Sequence, residues 1–386
     1  MIVRGFSPYV FNGEVGNFVS PPTDMVSKTE VTALSSRGDN VADITFGDDP
    51  FGKLNALVQS KSIIGLGSDI MLLLKQDFLR NGKNSTRIGL ICTVDLEGKE
   101  SSLIPHESTI REFVDQRKNF LRMTGAQVEP VFLTVSGTTI ESYLLSLLPG
   151  REKLFSFDDS AGVKNSVYIL DDGTRIREIS KLLIKAKGII ADGHHRVKAL
   201  TEINNERKML GLKPIPLLSY ITSLDSNSIE ITGIHKLIRK ENKDIMKRIK
   251  SGFRMRERPS YSSKGNVVFY DGTFREIRPT QLTVRILRSI GIYPETPADY
   301  FQFALMGVQT KDSVTQHQEK MIAYTPYEDR AMLEVDRGSA KAAVLMPSWE
   351  KEMFRKVVSS GRVLPPKSTF FYPKIFAGIV MSINRD

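Results

Sequence analysis

From residue 88 to residue 221 the chain alternates short runs rich in β-branched residues with stretches whose apolar residues recur at helical spacing. No other feature restricts the fold as strongly. Ile88–Val94, Val128–Val135, Val167–Leu170, Gly188–Ala191 and Leu217–Ile221 read as strands. Helices are predicted over Arg111–Met123, over Ile140–Leu148, and from Gly193 to about Leu210, where Val197, Leu200 and Ile203 share a face. Strands alternating with helices predict an α/β to α+β architecture built on a mixed sheet.

The character of the chain changes near residue 236. Lys236 to Arg258 holds ten Lys and Arg against Glu241, Asp244 and Glu257. Leu237, Ile238, Ile245, Met246, Ile249 and Phe253 are spaced for a helix with one buried face and one solvated basic face. Val267 to Arg275 reads as a hairpin turning at Asp271-Gly272. The reading is therefore an N-terminal part over 1–235 and a C-terminal α+β part over 236–386. The last strand of the second part, Ile379–Ile383, is expected to return to the site.

The net charge of +10, from 54 Lys and Arg against 44 Asp and Glu, leaves nucleic acid or a small phosphorylated ligand as partners. The basic segment carries only Phe253 as an aromatic, too thin an interleaving for a single-strand platform, so nucleic acid is the lesser expectation. No apolar run reaches the length of a membrane helix and no signal peptide is read at the start, which makes a cytoplasmic location the expectation. The single cysteine, Cys92, excludes an internal disulfide and a cysteine zinc site, and reads as a core thiol.

The motif richest in chemistry is Asp192-Gly193-His194-His195-Arg196, directly after the apolar run Ile189-Ile190-Ala191. A strand ending in Asp-Gly with a helix starting at once makes an anion cradle. Glycine admits close backbone approach, and first-turn N–H groups and the helix dipole favour negative charge. Arg196 offers a fork for phosphate oxygens. His194 and His195 can donate hydrogen bonds or move protons, and Asp192 can orient a histidine or hold magnesium.

Two further segments lie at element ends. In Ile104-Pro105-His106-Glu107-Ser108-Thr109, either Ser108 or Thr109 caps the following helix, or His106 and Glu107 serve a substrate hydroxyl as base. Pro365-Pro366-Lys367-Ser368-Thr369, with Tyr372 and Lys374 beyond it, is either a turn into an edge strand or a phosphate contact. Gly47 to Leu54 matches a phosphate loop in outline, but Leu54 replaces the magnesium-binding hydroxyl and Asp48 and Asp49 would face the phosphates, so it is set aside.

These motifs together resemble a large uncharacterised family, domain of unknown function ten-fifteen. The resemblance runs through Val19 to Asp24, Ile104 to Thr109, Asp115-Gln116-Arg117, Thr124 to Phe132, Ala191 to Arg196 and Leu364 to Lys374. The Asp-Gly-His-His-Arg turn is also similar to that of archaeal ADP-dependent free-serine kinases, and to the phosphate-binding turns of ParB-type proteins and sulfiredoxin. That resemblance implies a ParB/sulfiredoxin-like core and a serine-kinase-like phosphotransferase. It would move a phosphoryl group from ADP or ATP, with Mg²⁺, to a small hydroxylated metabolite such as L-serine. It implies Gly193, His194, His195 and Arg196 as phosphate ligands, with Lys367 and Thr369 added from the C-terminal motif. It further implies Glu107, His195 and Asp192 as catalytic groups, Asp192 as the metal ligand, and His106 and Thr109 on the substrate side. Val197 and Thr23 stand where family members usually carry tyrosine, and His194 replaces the cysteine of sulfiredoxin, which argues against reductase chemistry. The alternatives are a non-catalytic, ParB-like nucleotide switch and a nucleic-acid-binding protein.

Overall fold

From Arg87 to Val94 every residue of the Lys83–Val94 strand is buried, on both faces of the sheet it belongs to. Ile88, Leu90, Cys92 and Val94 fall on one face and join the main apolar core. The opposite face carries Arg87, Gly89, Ile91 and Thr93. The computed structural model describes all residues except 23–24, 27, 37, 81, 97–101, 240–242, 290–295, 300–321 and 385–386. Thr23 and Asp24 of the opening motif, and Glu241 of the basic segment, therefore lie outside the described residues.

The described chain forms two compact units. The first contains Met1–Pro105, Arg111–Ile229 and Pro373–Asp386, and the second His106–Ile110 and Glu230–Tyr372. The division at 235 places 373–386 with the second part, whereas their contacts group them with the first.

In the first unit the large sheet runs, in spatial order, Leu103–Ile104, Gly188–Asp192, Val131–Val135, Leu217–Ser223, Lys83–Val94, Met71–Arg80, Lys164–Leu170 and Lys153–Asp158. The Gly188–Asp192 strand is parallel to Leu103–Ile104, and Leu217–Ser223 is parallel to Val131–Val135. The remaining pairs along this order are antiparallel, so the sheet is mixed, as expected. The expected helices form as Arg111–Thr124, Ile140–Ser146 and His194–Met209.

The run read as one strand over Val128–Val135 divides. Ala126–Gln127 joins a small sheet and Val131–Val135 joins the large one. Pro130, lacking an N–H, separates them. The small sheet orders Ile63–Gly65, Pro8–Phe11, Met381–Ile383 and Ala126–Gln127, so the C-terminal strand is one of its inner members. Cys92 is fully buried, and burial pushes its thiol pKa up, which fits a core thiol. Asp49 caps the helix Pro50–Gln59 by accepting the Gly52 N–H at 2.9 Å, so a carboxylate occupies the end where a phosphate loop would bind its anion.

In the second unit an antiparallel sheet orders Phe253–Glu257, Phe274–Pro279, Val268–Tyr270, Ala342–Leu345, His235–Ile238 and Ile322–Thr325. It has apolar cores on both faces. Ile238, Phe269 and Val344 lie in one, Leu237, Val268, Tyr270 and Leu345 in the other. The Asp271-Gly272 hairpin forms as expected, with Tyr270 opposite Phe274 and Gly272 at φ +98°.

The basic segment is not one helix. Leu237 and Ile238 occupy a strand, which sends adjacent residues to opposite faces, both covered here. Phe253 opens the next strand, and the helix is confined to Lys243–Gly252, with Ile245 and Ile249 buried one turn apart and Lys247 and Lys250 exposed. Lys236 leaves the basic surface altogether. It is buried, donates to the Ile234 carbonyl at 3.0 Å, and burial pushes its pKa down to about 8.

Candidate functional site

The residues singled out from the sequence fall into two clusters, one in each unit. In the first, the Gly188–Asp192 strand pairs with Val131–Val135, and the register shifts between Ile190 and Asp192, a bulge just before the turn. Gly193 follows at φ +95° and ψ 28°, the left-handed region, and the helix His194–Met209 begins at once. An ideal Cβ at Gly193 would lie 2.9 Å from the Arg196 guanidinium carbon, so both backbone and space call for glycine. First-turn N–H groups have no intrahelical acceptor and point out of the helix end. His194 is buried and His195 half-buried, its ring set edge-on to Phe113 at 5.4 Å, which excludes a pair of surface histidines.

Arg196 is held from several sides. One terminal nitrogen donates to the Glu129 and Pro130 carbonyls, each at 2.8 Å, and the other reaches Asp192 Oδ2 at 2.8 Å and Glu129 Oε1 at 3.1 Å. The fork expected to face phosphate is thus spread over protein acceptors, fixing the turn to the start of the Val131–Val135 strand. Asp192 Oδ1 accepts from the Lys374 ammonium. Lys374 is itself positioned by its backbone, because the Pro373 carbonyl accepts from buried Arg87 at 2.5 Å and the Lys374 carbonyl from Gln76 at 3.2 Å. Asp192, Glu129, Arg196 and Lys374 make a nearly buried set of two carboxylates and two cations. Glu129 and Lys374 were absent from the predicted site. Both lie inside motifs of the family resemblance, and Lys374 also stands beside the Pro365–Thr369 motif read as a turn or a phosphate contact.

The second cluster gathers His106, Glu107, Lys367 and Thr369. The Glu107 carboxylate accepts the backbone N–H groups of Lys367 and Ser368 at 3.1 Å and of Thr369 at 2.8 Å, with the Thr369 hydroxyl at 2.7 Å. Successive N–H groups converging on one point form an anion nest. Here the anion is a side chain of the protein, and Lys367 adopts φ +59° to form the turn. His106, fully buried, lies with Nε2 2.7 Å from the Thr369 hydroxyl. That hydroxyl gives its one hydrogen to Glu107, so His106 Nε2 is the donor. Phe354 and Phe371 pack edge-on against the imidazole. Thr109 is half-buried in the short segment between Glu107 and the Arg111–Thr124 helix.

Among the described residues no group of three or more His, Cys, Asp or Glu is arranged to hold a metal ion. The donor set at Asp192 therefore fits magnesium only as an ion held mainly by phosphate oxygens and water. No described helix is long and apolar enough to cross a membrane.

A mixed sheet flanked by helices, with a left-handed glycine between a strand and a helix start, defines an α/β protein. The chain belongs to the family described as "Protein of unknown function (DUF1015)", whose match covers residues 11–291. No curated protein matches the sequence. Solved structures similar to it include a conserved hypothetical protein from Pyrococcus furiosus, 16% identical, covering 71% of this chain and 89% of the other at a TM-score of 0.40. A free serine kinase in complex with AMP is 16% identical, covering 70% and 83% at a TM-score of 0.40. SbnI from Staphylococcus aureus, with a C-terminal truncation, is 10% identical, covering 72% and 82% at 0.38.

Proposed function

We propose that this protein is a nucleotide-dependent phosphotransferase of the serine-kinase type, moving a phosphoryl group from ADP or ATP to a small hydroxylated metabolite such as L-serine. The observation that carries this reading is the turn at Gly193, a left-handed glycine between a sheet strand and a helix N-terminus, braced by Arg196 and neighboured by Lys374. The resemblance of Asp192 to Arg196 to the free-serine-kinase turn supplies the reaction class.

In this reading the nucleotide phosphates meet the first-turn N–H groups, with His194 and His195 as further donors. Arg196, its donors already taken by Glu129, Pro130 and Asp192, acts as a positioning residue that keeps the turn open. Lys374 offsets the developing negative charge. His195 is the group on this turn suited to take the acceptor's hydroxyl proton. Asp192 would hold magnesium carried in on the phosphates, and that ion supplies charge neutralisation. Glu107, in the second unit, is proposed separately as a base, a role that requires it to leave the N–H groups of Lys367, Ser368 and Thr369.

One observation favours a second reading, a nucleotide-dependent switch without chemistry. The carboxylates of Asp192, Glu129 and Glu107 are all engaged by cations or N–H donors, which suits a binding site better than a poised base. A phosphotransfer screen crossing ADP, ATP and CTP with free amino acids in magnesium separates the two. The kinase reading expects phosphoserine that disappears in Arg196→Ala. Tight nucleotide binding with no product from any pair overturns it in favour of the switch.

A further inference from the structure

Within the second unit the strand Phe253–Glu257 forms one edge of the antiparallel sheet. Its residues alternate between the two faces. Phe253 and Met255 turn to the core that Ile245 and Ile249 of the Lys243–Gly252 helix also enter, so that face is covered. Arg254 and Arg256 take the other face and are exposed. Arg254 stands directly opposite Arg278 and Arg256 opposite Glu276, and the Arg258 N–H continues the pairing at the Phe274 carbonyl, 2.9 Å away. Cross-strand neighbours share a face, so these four arginines gather around one buried glutamate. Glu276 is spent on two of them. It accepts from Arg258 Nε at 2.8 Å and from Arg278 Nε at 2.7 Å, with the Asn266 amide at 3.1 Å. Arg254 and Arg256 have no ion pair or side-chain hydrogen bond among the described residues. The apolar core on this side includes Val268 and Phe274 but no residue of the edge strand, which leaves the arginines on an open face.

We infer that this arginine face binds the phosphate backbone of a nucleic-acid duplex, by charge and without reading its bases. The interaction is separate from the phosphotransferase reading and uses none of its residues. Charge complementarity selects the occupant. Like charges directly opposite each other weaken a sheet, so the Arg254–Arg278 pair costs the fold stability that a bound polyanion restores. Protecting an edge against strand pairing needs charge along the strand, but it does not call for guanidinium facing guanidinium. Arg254 and Arg256 lie about 7 Å apart on a strand rising about 3.4 Å per residue, which suits a ligand of repeated charges better than one compact anion. Arginine is also the side chain whose planar fork fits phosphate oxygens. The edge strand places no aromatic residue on this face, which favours backbone contact over base stacking. It places no apolar side chain there either, so nothing enters a lipid layer.

The test is fluorescence anisotropy of a short labelled DNA duplex of mixed sequence, titrated with the full chain between about 50 and 200 mM salt. Wild type is expected to bind at about 1–100 µM near physiological salt, the range of sequence-independent binding. The double variant Arg254→Gln/Arg256→Gln removes two charges that hold no partner, so it is expected to keep the wild-type unfolding midpoint. Its affinity should fall at least about tenfold, and its salt slope should flatten by about 1.8, since each phosphate contact contributes about 0.9. Lys247→Gln/Lys250→Gln removes the same net charge from the exposed side of the helix over the opposite face and should keep the wild-type slope. Equal flattening in the two double variants overturns the face and leaves only bulk charge. No duplex binding at about 50 mM salt overturns the proposal outright. Binding to phosphatidylserine-containing vesicles without binding to the duplex overturns it in favour of a lipid surface.

Discussion

Lys374 donates its ammonium to Asp192 across 182 residues of sequence, and it does so while Arg196 holds the other oxygen of the same carboxylate at 2.8 Å. Asp192 thereby ties three stretches of the first unit to one point: the sheet strand it ends, the helix that follows, and the returning C-terminal segment.

Asp192→Asn keeps the shape of the side chain and removes its charge. Lys374 and Arg196 then face a weaker acceptor while remaining nearly buried, and the first unit is expected to lose about 1–3 kcal/mol. Urea unfolding monitored on the first unit measures this. An unchanged midpoint would show that the two cations find other partners.

Gly193→Ala meets two obstacles, a positive φ and a Cβ 2.9 Å from a guanidinium that is pinned by Glu129, Pro130 and Asp192. Destabilisation of about 1–3 kcal/mol is expected. On the phosphotransferase proposal, pyrophosphate affinity should fall at least about tenfold, because the strained turn shifts the first-turn N–H groups. Wild-type pyrophosphate binding in a folded Gly193→Ala chain would remove the turn from the phosphate site.

Glu107→Gln separates two roles for this residue. The amide has one acceptor oxygen, so an N–H₂ group must replace a carboxylate oxygen facing the N–H of Lys367 or of Ser368 and Thr369. The 367–369 turn is expected to lose about 1–3 kcal/mol, read as faster hydrogen exchange at Ser368 and Thr369. Normal exchange combined with lost phosphoserine formation would instead make Glu107 the base.

His235 gives the second unit a defined acid sensitivity. It is buried, its Nδ1 accepts the Met346 N–H at 3.0 Å, and burial followed by the neighbouring Lys236 charge lowers its pKa to about 4. Between pH 4 and about 6.5 the unfolded chain binds a proton that the folded one does not, so stability falls as pH drops through this window. The loss is on the order of 3 kcal/mol by pH 4, since each pKa unit corresponds to about 1.4 kcal/mol. His235→Gln, whose side-chain oxygen can still accept the Met346 N–H, should flatten that slope. An identical pH profile in the variant would assign the acid loss to other groups.

The legible parts of this molecule were the local ones. Gly193 was readable because a strand pattern, a glycine and a helix pattern sit in one short stretch, and the helices Arg111–Thr124 and His194–Met209 carry their own periodicity. The partners that fix the turn were not readable from spacing, since Glu129 and Lys374 reach it only through the folded sheet. Glu107 was read as a candidate base because nothing near it in sequence signals a nest built more than two hundred residues later. The basic segment misled for a different reason. Its charge is nearly uniform, and charge says little about whether adjacent apolar residues such as Leu237 and Ile238 share one face or divide between two.

The inner position of Met381–Ile383 in the small sheet sets an order of assembly during synthesis. A ribosome delivers that strand after the whole of 230–372, so Pro8–Phe11 and Ala126–Gln127 wait for the strand that joins them until the residues of the second unit have been synthesised. The unit that is started first is therefore completed only after the second has been synthesised, and Asp192 receives its lysine at that late stage.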